Sequence, residues 1–314
     1  MGRYNMVFST PEKLNPQYVK YFLHDAEQLF RLEGRKIPNV LFDTLKTKSA
    51  NVLGVLLIYK FFEYSISKDC FIKPKCTLPS STQLLRSLDS FGFRELLEQV
   101  TSFRIPTDNS IKYNVNKDGV FIAPIILKRE HSKDDTERKY RSKICQYYSY
   151  DTTISFALLQ CLGEISSNFT EHAVEDTKSI LVATGNRDYF EIACADTGNG
   201  IISTLTSSIP ALKNRCDILK LALAKGVTSK KDQNHMGYGL WLIDEFTKAT
   251  NGEFYLMSEG AYLHKRSNKQ NLGECPYWKG TVVYIRIPLT NIKGLKDVLK
   301  KLRDQYTNNK IQRV

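Results

Sequence analysis

Apolar residues recur with helical spacing in the second half of the chain. Between Ile154 and Ala173 an apolar side chain returns every three or four positions, which predicts an amphipathic helix. The same spacing over Asn291–Tyr306, with lysines on the other faces, predicts a basic amphipathic helix that we expect to pack on its own domain. Shorter apolar runs between these helices predict four strands, near residues 180–184, 190–195, 252–258 and 281–288.

The first half of the chain alternates between predicted helices and strands, an order typical of an α/β layer domain. Its first helix is predicted over Asn15–Leu32, with Asn15 as the N-cap and Pro16 at the first helical position. Pro74 would confine its strand to a sheet edge, because proline has no N–H to donate. The elements predicted after the first helix are a strand over 38–42, a helix over 50–66, a strand over 70–78 and short helices over 81–88 and 94–100.

A run of charged residues separates the two halves. From Leu127 to Lys143 the chain has seven basic and four acidic side chains and no evident apolar face, which predicts a solvated linker. The expected divisions are an N-terminal α/β domain at 1–126, a charged linker at 127–146, a second domain at 147–290 and the basic C-terminal helix at 291–314.

Composition narrows the class of protein without naming a function. Hydrophobic residues make up 42% and charged residues 25% of the 314 residues, as in ordinary globular proteins. The net charge of +12 suits a polyanionic partner or a basic solvated surface, and no motif for reading nucleic acid accompanies it. The seven cysteines are scattered without a C-x-x-C pair, which favours free thiols in a reducing cytoplasm. We expect no signal peptide and no membrane span, because no apolar stretch reaches about 20 residues.

Three short motifs in the second half carry the chemistry. Glu164 and Asn168 are four residues apart, so they project from one face of the predicted helix. An amide oxygen can ligate Mg²⁺, and a carboxylate can orient or deprotonate a water molecule. Such a pair also occurs on ordinary helix surfaces, and the pair by itself does not assign a function.

The second motif is D-x-G-x-G, which follows a predicted strand directly. Gly198 and Gly200 are expected to turn the backbone with positive φ and to let it approach a ligand. Asp196 would accept a hydrogen bond from an exocyclic amine, and a charge-assisted bond of this kind contributes about 1.5–3 kcal/mol. The third motif, Gly237-x-Gly239, precedes a helix whose free N–H groups suit phosphate.

Taken in order, these motifs resemble the GHKL superfamily of ATP-binding domains. That superfamily includes sensor histidine kinases, gyrase and MutL ATPases, heat-shock chaperones and anti-sigma-factor kinases. The resemblance covers Tyr147–Leu289. It implies an α/β (α+β) sandwich in which a mixed, largely antiparallel sheet is covered by helices on one face, with ATP bound between them.

The resemblance also implies a role for each matching residue. Asn168 matches the amide that coordinates Mg²⁺, and Glu164 matches the general base of the hydrolysing members. Asp196 matches the carboxylate that reads adenine, and Thr281 matches a threonine that helps to hold the adenine pocket. The other implied nucleotide contacts are Gly198, Asn199 and Gly200 in the turn, Lys230 in the ATP lid, and Gly237, Tyr238, Gly239 and Leu240 at the end of the lid.

Two further segments leave alternatives open. The polar stretch between Gly260 and Gly280 mixes aromatic and basic residues, which fits either a surface that binds phosphate or nucleic acid or, as we prefer, a long hairpin loop. Its aromatic and basic residues are Tyr262, His264, Lys265, Arg266 and Trp278. In the first half, Ser81–Val100 resembles the end of a STAS domain, a class that binds partner proteins and often lies beside anti-sigma kinases.

The function expected from these patterns is ATP hydrolysis, or closure of the ATP lid that gates association with a protein partner or a second copy of the chain. The alternative is a protein kinase, acting on serine or threonine in the anti-sigma manner or on histidine. A standard sensor kinase is disfavoured, because residues 135–162 contain no histidine to accept phosphate.

Overall fold

The computed structural model describes residues 5–32, 35–77, 82–101, 105, 119–128, 133–172, 179–228 and 237–311. Its helices are α1 (Val19–Phe30), α2 (Val52–Ser67), α3 (Thr82–Ser90), α4 (Arg94–Thr101), α5 (Lys133–Tyr147), α6 (Thr152–His172), α7 (Ile201–Ser208), α8 (Arg215–Leu221), α9 (Gly239–Ala249) and α10 (Ile292–Ile311). Its strands are β1 (Met6–Ser9), β2 (Lys13–Leu14), β3 (Ile37–Asp43), β4 (Ser49–Ala50), β5 (Phe71–Thr77), β6 (Val120–Leu127), β7 (Ser179–Gly185), β8 (Tyr189–Ala195), β9 (Glu253–Ser258), β10 (Ala261–Arg266), β11 (Lys269–Glu274) and β12 (Thr281–Pro288).

A seven-stranded sheet organises the molecule, which confirms the mixed α/β class. Its strand order is β11-β10-β9-β12-β8-β7-β6, and every described pairing in it is antiparallel. A second sheet has the order β1-β3-β5 with parallel pairing, and β2 pairs with β4. The strand that contains Pro74 lies at the edge of this described parallel sheet, as predicted.

Helices α6, α9 and α10 cover one face of the seven-stranded sheet. Their apolar stripes form one core with alternate residues of the strands, represented by Leu162, Ile243, Leu295 and Ile192. α10 lies in the segment where a C-terminal helix was predicted, and it packs against α6 and α9 of the same chain.

The other face of this sheet is covered by the N-terminal half, so the expectation of helices on one face alone is wrong. α2 is buried around most of its circumference and contacts β7 and β8. The strands that it covers alternate apolar residues toward both faces, with Val182 and Ala193 on the side of α2. A strand of this type needs a cover on each side, because apolar surface left in water is unfavourable.

The predicted linker contains a helix, so the prediction of a solvated loop is wrong for residues 133–146. α5 packs along α6 and buries Tyr140 and Ile144, and Tyr148, directly after the helix, is buried at the same spacing of four residues. Charged residues outnumber these buried positions, so the sequence of the predicted linker shows no apolar face. β6, which precedes it, pairs with β7 and belongs to the seven-stranded sheet.

The first helix starts later than predicted. Asn15 does not cap α1: its side chain accepts from Gln17 N–H at 3.0 Å, and its carbonyl accepts from Tyr18 and Val19. These bonds form a turn around Pro16, and the helix begins only at Val19.

None of the helices in the described part of the chain combines the length and the apolar composition that a bilayer crossing requires.

Candidate functional site

Asp196 is fixed at the end of β8 by bonds from two directions. It is 2% exposed, and its Oδ1 accepts hydrogen bonds from Gly198 N–H at 2.9 Å and Thr281 N–H at 3.1 Å. Its own N–H donates to the Thr281 carbonyl at 3.0 Å, and Trp278 Nε1 donates to its carbonyl at 3.0 Å. These contacts hold the buried carboxylate in one orientation.

The Asp196 side chain lies on the face of the sheet that α6 and α9 cover. In β8, Cys194 belongs to the core under the helices and Ala195 to the core under α2. Because side chains alternate along a strand and Asp196 still pairs with Thr281, the alternation carries the carboxylate to the same side as Cys194. It is therefore on the face that also carries α6 and α9.

The expectation of positive φ at Gly198 and Gly200 is wrong, since neither is among the positive-φ glycines of the described residues. Gly200 has φ −79° and is the N-cap of α7. A Cβ there would lie 2.5 Å from Glu259 Cδ and closer still to Ser258 Oγ. Positive φ occurs instead at Gly280, at 88°, where a Cβ would lie 2.7 Å from the Asp196 carbonyl oxygen and would overlap Oδ1.

The first and third motifs meet at the start of α9. A Cβ on Gly239 would lie 2.6 Å from Glu164 Oε2 and 3.3 Å from Asn168 Nδ2, so both side chains face the first residue of that helix. The Tyr238 side chain does not cap α9. A carboxylate beside a helix N-terminus is favoured electrostatically, and the same position suits other anions.

The Nδ2 atom of Asn168 is buried without a hydrogen-bond partner among the described residues. A buried amide in this condition costs about 1–3 kcal/mol. Rotation of the amide by 180° exchanges its nitrogen and oxygen, so the same position can present an oxygen ligand. Such an orphan group in a folded protein is a feature that a ligand would explain.

The ends of the predicted lid are joined. Gly226 N–H donates to the Gly237 carbonyl at 3.0 Å, and Gly237 has φ 63°. A Cβ on Gly237 would lie 2.6 Å from the Val227 carbonyl oxygen, so the two ends approach backbone to backbone. Lys225 Nζ lies 5.3 Å from the ring centre of Tyr238, which is a cation–π contact. The segment between these ends, including Lys230, lies outside the described residues.

The predicted residues therefore form two clusters on one face of the sheet. The first comprises Asp196, Gly198 and Thr281, and the second comprises Glu164, Asn168 and Gly239. Asn199 is exposed beside the first cluster, and Leu240 packs against the helix-side core behind the second.

No family model matches the chain, and no curated protein matches it in a sequence search. The assignment of the candidate site therefore depends on the contacts given above.

Trp278 and Lys265 have roles that differ from the surface roles considered for them. Trp278 is fully buried and its indole N–H holds the Asp196 carbonyl. Lys265 bonds both carboxylate oxygens of buried Asp244, at 2.8 and 2.9 Å. The segment around them is the β10–β11 hairpin, as preferred, with Ser267 and Asn268 at positive φ in its turn.

Proposed function

We propose that the chain binds Mg²⁺–ATP between α6, α9 and the end of β8, and that it hydrolyses ATP or uses the lid to gate a partner. The observation that carries this proposal is the approach of Gly239 to Glu164 and Asn168. Three motifs separated by up to 75 residues converge on one sheet face, although each alone is a common pattern. The proposal extends the resemblance described above and does not follow from the fold class.

The residues of the second cluster suit a magnesium–phosphate group. Asn168 is the residue that would ligate the metal, since one end of its side-chain amide, Nδ2, is buried without a described partner and the amide can turn to present its oxygen. When bound, Mg²⁺ would neutralise charge on the phosphate oxygens and orient them. The backbone N–H groups of the first turn of α9 would hold phosphate oxygens, since the Tyr238 side chain does not cap that turn.

The first cluster suits the adenine ring. The backbone donors on Asp196 Oδ1 fix the carboxylate plane, so that Oδ2 has a defined direction for an exocyclic amine. Gly280 allows the strand that begins at Thr281 to approach this carboxylate, because its positive φ and missing side chain leave room.

Glu164 favours hydrolysis over simple binding. Its carboxylate lies beside the first residue of α9, where the phosphates would bind. A carboxylate in that position can take a proton from water. In the kinase alternative the same site binds ATP, and a side chain of a protein accepts the phosphate in place of water. A protein partner on the N-terminal half remains part of the proposal, although α2 is already used to cover the sheet.

We expect Glu164→Gln to lower phosphate release from γ-labelled ATP by about a hundredfold or more, because general base catalysis contributes factors of this size. ATP affinity, measured by calorimetry, should change little. The matched control is Glu95→Gln, an exposed carboxylate on α4, which should leave release unchanged. Release that survives in Glu164→Gln would contradict the role of Glu164. ATP binding without release by the unaltered chain would favour phosphate transfer to a protein or a gated partner.

We expect Asn168→Ala to remove the dependence of ATP affinity on Mg²⁺ without lowering stability. The variant loses the proposed ligand, and it also removes an amide that is buried without a described partner. Calorimetry with Mg²⁺ and with EDTA measures the first effect, and urea unfolding without nucleotide measures the second. A lower unfolding free energy together with an unchanged Mg²⁺ dependence would indicate a structural role for Asn168 instead.

A further inference from the structure

A cavity of about 560 Å³ lies on the face of the sheet opposite to the proposed ATP site. It is formed where the start of α1 meets β9 and the β10–β11 hairpin, and its volume is in the range of small-molecule sites. The residues that line it are Pro16, Gln17, Tyr18, Lys20, Tyr255, Tyr262, His264, Arg266, Ser267, Lys269, Asn271 and Cys275.

The floor of the cavity is aromatic. The rings of Tyr255 and Tyr262 are stacked, with centroids 6.2 Å apart and planes at 24°. Gly273 is directly opposite Tyr262 across the β10–β11 pair, so no side chain from that position covers the ring. A Cβ there would lie 3.5 Å from the ring. The face of Tyr262 is therefore open to a planar group, and aromatic side chains are the usual platforms for stacked bases.

The rim of the cavity is cationic. Lys20, Arg266 and Lys269 are exposed, and none of them has a carboxylate within ion-pair distance in the described ranges. Arg266 and Lys269 are directly opposite each other in the antiparallel register. Like charges in this arrangement destabilise a hairpin, so an anion between them would relieve a cost that the free protein bears.

Two carboxylates lie near this rim, and each has another described partner. Glu253 is directly opposite Arg266 in the β9–β10 register and shares the sheet face of the cavity, and its Oε1 lies 2.7 Å from His264 Nε2. Lys265 precedes Arg266 in β10, and its side chain projects to the other face of the sheet and pairs with Asp244. Burial raises the pKa of the Cys275 thiol to about 12, so this wall residue is protonated at neutral pH and is not a nucleophile. The cavity is suited to binding and not to covalent chemistry.

We propose that this cavity binds the phosphate and base of a nucleotide, with the planar ring on Tyr262 and the phosphate between Lys20, Arg266 and Lys269. Gln17 and Asn271 also line the cavity, and side-chain amides of this kind can bond the edge of a ring. The ligand is either a free mononucleotide or one nucleotide of a single strand, since both offer the same ring and phosphate. This inference does not rest on the proposed ATP site, which uses the opposite sheet face.

The test is calorimetric titration of the full chain with GMP, and in parallel with inorganic phosphate and a single-stranded pentaribonucleotide. We expect GMP or the oligonucleotide to bind, and the tighter of the two identifies the source of the ligand. The double variant Arg266→Ala/Lys269→Ala should weaken that binding about tenfold or more, because charge-assisted bonds to phosphate are lost. Its melting temperature should not fall, because the opposed cations are removed.

Two further variants complete this test. Tyr262→Leu keeps an apolar side chain but removes the stacking platform, and it should also weaken binding about tenfold. Lys293→Ala, an exposed lysine on α10, is the matched control and should bind as the unaltered chain does. The proposal is overturned if neither nucleotide binds at millimolar concentration, or if phosphate alone binds as tightly. Binding that is lowered by Asp196→Asn and not by the cavity variants would assign the ligand to the other site and would also overturn it.

Discussion

Asp196→Asn is expected to lower ATP affinity about ten- to a hundredfold while the fold stays intact. The amide introduced by this substitution would keep an oxygen for the N–H groups of Gly198 and Thr281, which lie 2.9 and 3.1 Å from Oδ1 of the aspartate. Those two donors fix the orientation of the amide, so its NH₂ group takes the position of Oδ2. A donor would then face the exocyclic amine of adenine, and a charge-assisted bond of about 1.5–3 kcal/mol would be lost.

Calorimetry with ATP measures this affinity, and thermal unfolding checks the fold. Asp188→Asn, an exposed aspartate between β7 and β8, is the matched control for the change of charge and should bind ATP normally. Asp196→Ala should lose both affinity and stability, since the backbone donors would be left without their acceptor. Unchanged affinity in Asp196→Asn, with the melting temperature retained, would contradict the assignment of the base-binding carboxylate.

Elements with strong periodicity were predictable from the sequence. The helix with Glu164 and Asn168 was expected from Ile154 to Ala173 and is observed over Thr152–His172. β12 has the predicted bounds, and β8 begins one residue before its prediction. In these segments the hydrophobic pattern and the local start and stop signals agree, which is the condition under which local sequence determines local structure.

The helices that pack on each face of the sheet could not be predicted in the same way. β8 reads as a nearly continuous apolar run, YFEIACA, which indicates burial on both faces. Periodicity shows that a face is buried but not which element buries it, so the packing of α2 against β8 did not follow from the pattern. α5 was missed for a different reason, since its buried Tyr140 and Ile144 lie in a run of mostly charged residues.

The motifs named candidate residues but not how each glycine acts. Gly239 approaches Glu164 and Asn168. The positive φ expected in the turn after Asp196 is found at Gly280, which precedes a strand far along the chain. Whether a glycine is needed for its φ or for its missing side chain depends on which backbone approaches it, and that is a tertiary property.

Gly280→Ala is expected to cause the largest loss of stability, roughly 2–6 kcal/mol in the free energy of unfolding, because two costs add at this position. Its φ of 88° is unfavourable for alanine, at about 1–3 kcal/mol, and overpacking adds about 1–3 kcal/mol. The new Cβ would lie 2.7 Å from the Asp196 carbonyl oxygen and would overlap the carboxylate, so the main chain must move.

Two other glycines separate these costs. Gly226 has φ 81° with no described atom within 4 Å of a Cβ, so Gly226→Ala should show the conformational cost alone, about 1–3 kcal/mol. Gly200 has φ −79° but is crowded by Ser258 and Glu259, so Gly200→Ala should show the cost of crowding by side chains that can shift. Urea unfolding of the three variants gives the comparison. Because Gly280→Ala combines a strained φ with contact to main-chain atoms, a loss no larger than that of Gly226→Ala would mean that β12 and Asp196 are not held as closely as described.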